Sequence, residues 1–237
     1  MRSWVILLAA APLAVAQPFT FGIKGGVPLT DFLSATSSGN LGYFTTTNRY
    51  IVGPEAELHL PFGFGVEFDA LYRHLNYTNF FNGADILVNT ATTSGAWEFP
   101  LLAKYRFPGK VVRPYVAAGV AWDTLSGLGQ TITQTVISTQ VTSTSKTSSP
   151  AELRNNTVTG FVAGVGIDIH LLFLHISPEI RYTHWGSQHF VTPVSTAIGA
   201  GPGFVAVGPI GLSSPPLPGT IQSNQNQAEF LVGFTFP

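Results

Sequence analysis

The stretch Trp97-Glu98-Phe99-Pro100-Leu101-Leu102-Ala103-Lys104-Tyr105-Arg106 sets Trp97, Phe99, Leu101, Ala103 and Tyr105 against Glu98, Lys104 and Arg106. The two sets alternate with period two, the repeat of a strand whose successive side chains point to opposite faces. Its length is about that of a tilted strand crossing a bilayer.

Seven further segments show the same alternation, giving eight in all: 18–28, 50–60, 64–74, 96–107, 114–123, 157–170, 175–185 and 227–236. The phase of the charges is constant throughout. Phe19, Phe21, Ile23 and Val27 oppose Lys24; Val52, Ala56 and Leu58 oppose Glu55 and Glu57; Phe64, Val66 and Phe68 oppose Glu67, Asp69 and Arg73. Val116, Ala118, Val120 and Trp122 oppose Asp123, and Phe161, Val165 and Ile167 oppose Asp168. Ile180 and Tyr182 oppose Glu179 and Arg181, while Phe230, Val232 and Phe234 oppose Glu229. In no segment does the large apolar face carry Asp, Glu, Lys or Arg.

Such a face is either the core of a water-soluble barrel or the lipid-contacting skin of a membrane barrel. Composition favours the second. Charged residues make up 10% of the chain and apolar residues 45%, where a soluble domain carries about 25% charged residues. Beyond the N-terminus there is no apolar run of the length a spanning helix needs. Small residues (Gly22, Gly26, Gly65, Ala117, Gly119, Gly160, Gly164, Gly166 and Gly233) share the charged face, as a narrow lumen requires. The expectation is an all-β, closed, antiparallel, eight-stranded transmembrane β-barrel, because an open edge in lipid would leave backbone groups unsatisfied.

The connections alternate in length. Short turns fall at Pro61-Phe62-Gly63, at 108–113 and at Leu171-Leu172-Phe173-Leu174; long loops fall at 29–49, 75–95, 124–156 and 186–226. Short periplasmic turns and long extracellular loops are the pattern of outer-membrane barrels. Tyr50, Phe62, Phe64, Tyr72, Tyr77, Trp97, Tyr105, Phe107, Tyr115, Trp122, Tyr182, Trp185 and Phe236 lie near segment ends, which suggests interfacial aromatic girdles. Residues 128–145 alternate Thr, Ser and Gln with Ile and Val, and are expected to extend the fifth and sixth strands as a hairpin above the membrane. The loop 186–226 holds no Asp, Glu, Lys or Arg, and reads either as a poorly ordered loop or as an adhesive surface.

The N-terminus reads as an export signal over residues 1–16. Arg2 supplies the positive region, Val5 to Val15 the apolar region, and Ala14-Val15-Ala16 the small-residue cleavage site. The barrel domain is then 17–237. The chain has no cysteine, which removes disulfides and thiolate chemistry, and its net charge of −1 offers no basic stripe for nucleic acid.

The segment 97–107 followed by Arg113-Pro114-Tyr115-Val116-Ala117-Ala118-Gly119-Val120 resembles the central hairpin of small OmpA-like, porin-family outer-membrane β-barrels. Gly164-Val165-Gly166-Ile167 with Pro178-Glu179-Ile180-Arg181-Tyr182 resembles the next hairpin, and Glu229 to Phe236 resembles the closing strand. The resemblance implies residence in the outer membrane of a Gram-negative-type bacterium, contact with its lipid, and insertion by the barrel-assembly machinery. That machinery reads a terminal aromatic residue in the family; here Pro237 follows Phe236.

The face opposite the lipid holds nine acids (Glu55, Glu57, Glu67, Asp69, Glu98, Asp123, Asp168, Glu179 and Glu229) and five bases (Lys24, Arg73, Lys104, Arg106 and Arg181). In a narrow lumen these are expected to pair as a structural charge network rather than line a pore, since an unpaired buried charge costs several kcal/mol. No catalytic, cofactor or metal site is expected: His170 and His175 flank a turn, and His184 and His189 lie at a strand end, without a metal-spaced carboxylate. His184 with Ser187 and Glu179 is the one arrangement that suggests a lipid-modifying enzyme, and it lacks evidence of convergence. The expected role is structural or surface-interacting through the loops, without enzymatic activity, with a surface ligand as the partner. The alternatives are a narrow passive channel or apolar-ligand conduit, and the lipid-modifying enzyme.

Overall fold

The computed structural model of the protein describes residues 19–35, 41–45, 49–150, 152–171, 174–193 and 220–236. The export signal expected over 1–16, Leu172 and Phe173 of the apolar turn, most of the uncharged loop and Pro237 lie outside the described residues.

Eight antiparallel strands close into a barrel. They are β1 (Phe19–Pro28), β2 (Ile51–His59), β3 (Phe64–Asp69 continued by Leu71–Asn82), β4 (Ile86–Arg106), β5 (Val112–Val136), β6 (Thr157–His170), β7 (His175–Trp185) and β8 (Asn226–Phe236). Each pairs with its neighbour in sequence, and β1 closes on β8 from Phe21 opposite Phe236 to Pro28 opposite Glu229. The expected fold class is therefore borne out.

Alternation fixes the two faces. Phe68, Leu101 and Ile167 point outward and are exposed, whereas Glu67, Lys104 and Arg181 are buried in the interior. A soluble barrel would show the opposite.

The end where Pro61–Gly63 joins β2 to β3 carries the short turns. Phe62 and Gly63 both have positive φ there, at 66° and 85°, and a Cβ on Gly63 would approach the Arg106 carbonyl oxygen to 2.6 Å, so glycine suits that position. Phe62 is 91% exposed at the tip. Near it Phe64 stands 5.0 Å from Tyr105, and Tyr105 stands 5.2 Å from Phe107. A second ring belt at the other end includes Tyr72 and Trp97, 5.1 Å apart, with Trp122 and Tyr182. From Trp97 to Tyr105, a tilted strand rises about 20 Å, close to the height of an apolar band in lipid. Three of the expected girdle residues belong elsewhere. Tyr77, Tyr115 and Trp185 point inward and are buried, because their registers place them on the lumen face.

The long-loop end departs from the sequence reading. Residues 75–95 are not a loop: β3 runs to Asn82 and β4 starts at Ile86, leaving a three-residue turn. Pairing continues from Leu71 opposite Glu98 to Asn82 opposite Leu87. On the other side β4 follows β5 as far as Ile86 opposite Val136, through a register shift between Thr93 and Gly95. The expected 128–145 hairpin forms in part. Gln130–Val136 pairs with the returning strand Val141–Thr147, but β6 begins only at Thr157. The result is a sheet blade standing beyond the barrel, with Leu41–Thr45 on one flank and Val141–Thr147 on the other.

Candidate functional site

The interior surface is the place where chemistry-bearing side chains converge. All fourteen charged residues of the lumen face are buried, and every barrel strand supplies at least one of them.

Towards the short-turn end, four cations meet six carboxylates. Arg181 on β7 reaches Glu179 at 2.8 Å and crosses to β3, where it meets Asp69 at 2.8 Å and Glu67 at 3.0 Å. In a ring of eight, β7 and β3 are opposite one another. Lys24 on β1 contacts Glu55 at 3.0 Å, Asp69 at 3.3 Å, Glu179 at 3.6 Å and also Glu67. Lys104 pairs with Glu67 and with Glu57 at 3.3 Å, and lies over the Tyr115 ring at 4.3 Å from its centre. Tyr115 donates its hydroxyl to Glu179 at 3.1 Å. Arg106 pairs with Glu57 and donates through Nε to Asp168 at 2.7 Å. Glycine makes part of this packing fit: a Cβ on Gly164 would stand 2.5 Å from the Glu179 carboxylate.

Higher up, one cation serves three carboxylates. Arg73 meets Asp123 at 3.0 Å, Glu229 at 3.2 Å and Glu98 at 3.4 Å, and donates to Gln227 at 2.9 Å. Phe32 stacks under its guanidinium, 5.0 Å away.

Above Arg73 the lumen turns apolar. Phe32, Leu33, Leu75, Tyr77, Ala96, Leu125 and Phe190 form a buried cluster, with Leu128 and Leu153 against it. Phe190 sits edge-on to Tyr77 at 5.8 Å. Its backbone N–H donates to Ser223 Oγ at 3.0 Å, and Ser223 N–H donates back to the Phe190 carbonyl at 2.9 Å. The segments Leu33–Ala35, Val191–Pro193 and Thr220–Ser223 form a small sheet that carries this cap. Sequence reasoning missed the cap, and its only signal was apolar residues inside loops (Phe32-Leu33 and Phe190-Val191). It also read His189 only as a residue at a strand end. His189 is instead 2% exposed, with Nε2 3.4 Å from Asp123 and Nδ1 2.8 Å from the Asn155 carbonyl.

The histidines near the other end separate into two cases. His184 faces outward and bonds Asn226 at 2.8 Å, whereas Glu179 lies in the lumen beside Arg181. The two are on opposite faces of β7, so His184, Ser187 and Glu179 do not assemble a triad. His170 and His175 are paired across β6 and β7, with ring centres 4.0 Å apart. The sequence reading put Asp168 and His170 on one face of the strand but saw no metal-spaced carboxylate. The structure brings His175 to the same two residues: one ligand atom from each of the three lies within 4.8 Å of the others. A second carboxylate group, Glu55, Glu67 and Asp69, already surrounds the Lys24 ammonium.

Residues 15–186 match the family described as outer membrane protein beta-barrel domain. The chain belongs to that family. Membership places the barrel in a Gram-negative outer membrane. Among solved structures, this outer-membrane barrel is similar to OprG from Pseudomonas aeruginosa, at 11% identity and a TM-score of 0.49, over 92% of this chain and 93% of that one. It is also similar to the N-terminal barrel domain of OprF from the same organism, at 16% identity and a TM-score of 0.30, over 92% and 97%. The translocator domain of the autotransporter NalP from Neisseria meningitidis matches at 9% identity and a TM-score of 0.39, over 92% and 86%. No curated protein matches the sequence.

Proposed function

We propose that this protein is a closed, non-enzymatic barrel that anchors a rigid interaction surface outside the cell. The observation that carries the reading is the bridge from Arg181 to Asp69 and Glu67. Bonds of about 3 Å between opposite walls leave no continuous path at that level. The apolar cap around Phe190 adds a second closure towards the cell exterior.

The surface is the blade. β5 is 25 residues long and β4 is 21, about twice what a bilayer crossing needs. Beyond Trp122, β5 continues to Val136, about 45 Å of strand. The excess length is held by regular pairing, so the blade presents a preformed face to a surface ligand. The charge network then serves structure, clamping the walls that carry the blade. Residues 1–16 direct export, and the assembly machinery inserts the chain into lipid.

Electrical recording tests this reading. Protein folded in detergent and added to a planar lipid bilayer is expected to give no stable openings. Reproducible, long-lived conductance steps would overturn the closed-barrel role in favour of a passive channel.

A further inference from the structure

We propose that Asp168, His170 and His175 form a binding site for a borderline divalent transition metal, with zinc as the reference ion, at the periplasmic mouth of the barrel. Strand geometry builds the site. Asp168 and His170 are two residues apart on β6 and therefore share the lumen face. His175 on β7 is the direct pairing partner of His170, which brings the imidazole centres to 4.0 Å. The three ligand atoms fall within 4.8 Å of one another. Ligands around a tetrahedral zinc stand about 3.3 Å apart, given bond lengths of about 2.0–2.2 Å, so small side-chain rotations close the site.

A second observation points the same way. Asp168 is 2% exposed. Its Oδ2 accepts from Arg106, but its Oδ1 has no hydrogen-bond partner, nor has His170 Nε2. That nitrogen lies 3.3 Å from Asp168 Oδ2. A buried carboxylate with one oxygen unpartnered, beside a ring nitrogen with no hydrogen bond, is what a cation would complete. The nearby Arg106 charge opposes a cation, but Glu57 pairs with Arg106 and offsets it. Two imidazoles with one carboxylate suit zinc, copper or nickel and suit calcium or magnesium poorly. Three protein ligands leave a fourth position for water or a partner's donor. His170 and His175 are only half-buried, so an ion reaches them from the periplasm. Bound there, it ties the last rung of the β6–β7 pairing.

The test uses the full chain folded in detergent micelles, titrated with zinc by calorimetry and with cobalt by visible absorption. One zinc per chain and a tetrahedral cobalt spectrum are expected. His175→Ala and His170→Ala should each weaken binding about tenfold or more, while His184→Ala on the outer face should leave it unchanged. The gel-mobility shift on boiling reports whether each variant is folded. His175→Ala sits at the rim, so it keeps the test valid if His170→Ala disturbs Asp168 and its pairing with Arg106. No stoichiometric zinc in the wild type, unchanged affinity in His175→Ala, or an equal loss in His184→Ala would each overturn the assignment.

Discussion

Replacing Arg73 with methionine tests whether the lumen charges are truly shielded from water. Arg73 holds Asp123, Glu229 and Glu98 at 3.0, 3.2 and 3.4 Å, and these three carboxylates are 0%, 1% and 3% exposed. Methionine keeps much of the apolar stem over Phe32 but removes the charge. The three carboxylates then face one another without a direct cation partner, with His189 beside Asp123 and Arg181 further down the lumen. Removing one partner of a buried ion pair costs about 3–5 kcal/mol, because the remaining charge stays desolvated. With a urea slope of about 2 kcal/mol/M, the unfolding midpoint should fall by about 1.5–2.5 M. Tryptophan fluorescence of protein folded in lipid vesicles reads it, since Trp97 and Trp122 face outward and Trp185 inward. The cost belongs to the orphaned carboxylates and not to a lost contact, so Arg73→Met combined with Glu98→Gln and Glu229→Gln should recover more than half of the loss. An unchanged midpoint in the single variant would refute the reasoning, since it would mean that water screens the network. A further loss in the triple variant would refute it as well.

Two other substitutions probe the two sides of the wall. Val165, exposed on the outer face and paired with Ile180, should cost about 2–4 kcal/mol as Val165→Arg if it faces the bilayer centre; the readout is the yield of heat-modifiable protein folded into vesicles, and an undiminished yield would contradict the outward assignment. Phe190→Ala removes the centre of the apolar cap and should cost about 3–5 kcal/mol, the usual range for a buried phenylalanine. It should still give no conductance in bilayer recordings, because the Arg181 bridges cross the lumen below it. Stable openings in this variant would show that the cap alone closes the barrel.

Within the membrane, the sequence carried nearly all of the fold. The period-two charge phase located β1, β2, β6, β7 and β8 to within a residue or two, because in lipid each side chain has only two environments and they differ sharply in the charge they tolerate. The fourteen lumen charges were legible for the same reason. Above the membrane that contrast fades. Leu75 to Asn82 and Ile86 to Gly95 mix Thr, Asn and apolar residues without charges, so they read as loop although they pair rung by rung. Cap residues such as Phe32 and Phe190 were hidden for a different cause. Their burial comes from chain segments far apart in sequence, and no local period records it. The Asp168–His170–His175 grouping was missed because Asp168 was counted with the lumen charges and His175 lies across a turn. Only the register of β6 against β7 joins them.

That register also explains how one continuous strand runs through two opposite solvents. On the inner face of β3, Arg73 is followed two residues later by Leu75 and then Tyr77; on β5, Asp123 is followed by Leu125. Below this step, apolar side chains face out and ions face in. Above it, the apolar residues Leu75, Tyr77 and Leu125 enter the buried side beside Asn79, Thr92 and Gln130, and the outer side carries His74, Asn76 and Thr78. The switch falls at the level where Tyr72 pairs with Trp97 and Trp122 pairs with Phe99. Two independent signals, the aromatic belt and the polarity inversion, thus mark the same boundary. The chain's ions gather on the inner face where the outside is lipid, because the lumen is then the only place for them. Apolar side chains join the inner face where the outside is water, because the interior is then their shelter from it. The cap is the point where the barrel ceases to be a membrane protein and the blade begins as a soluble one.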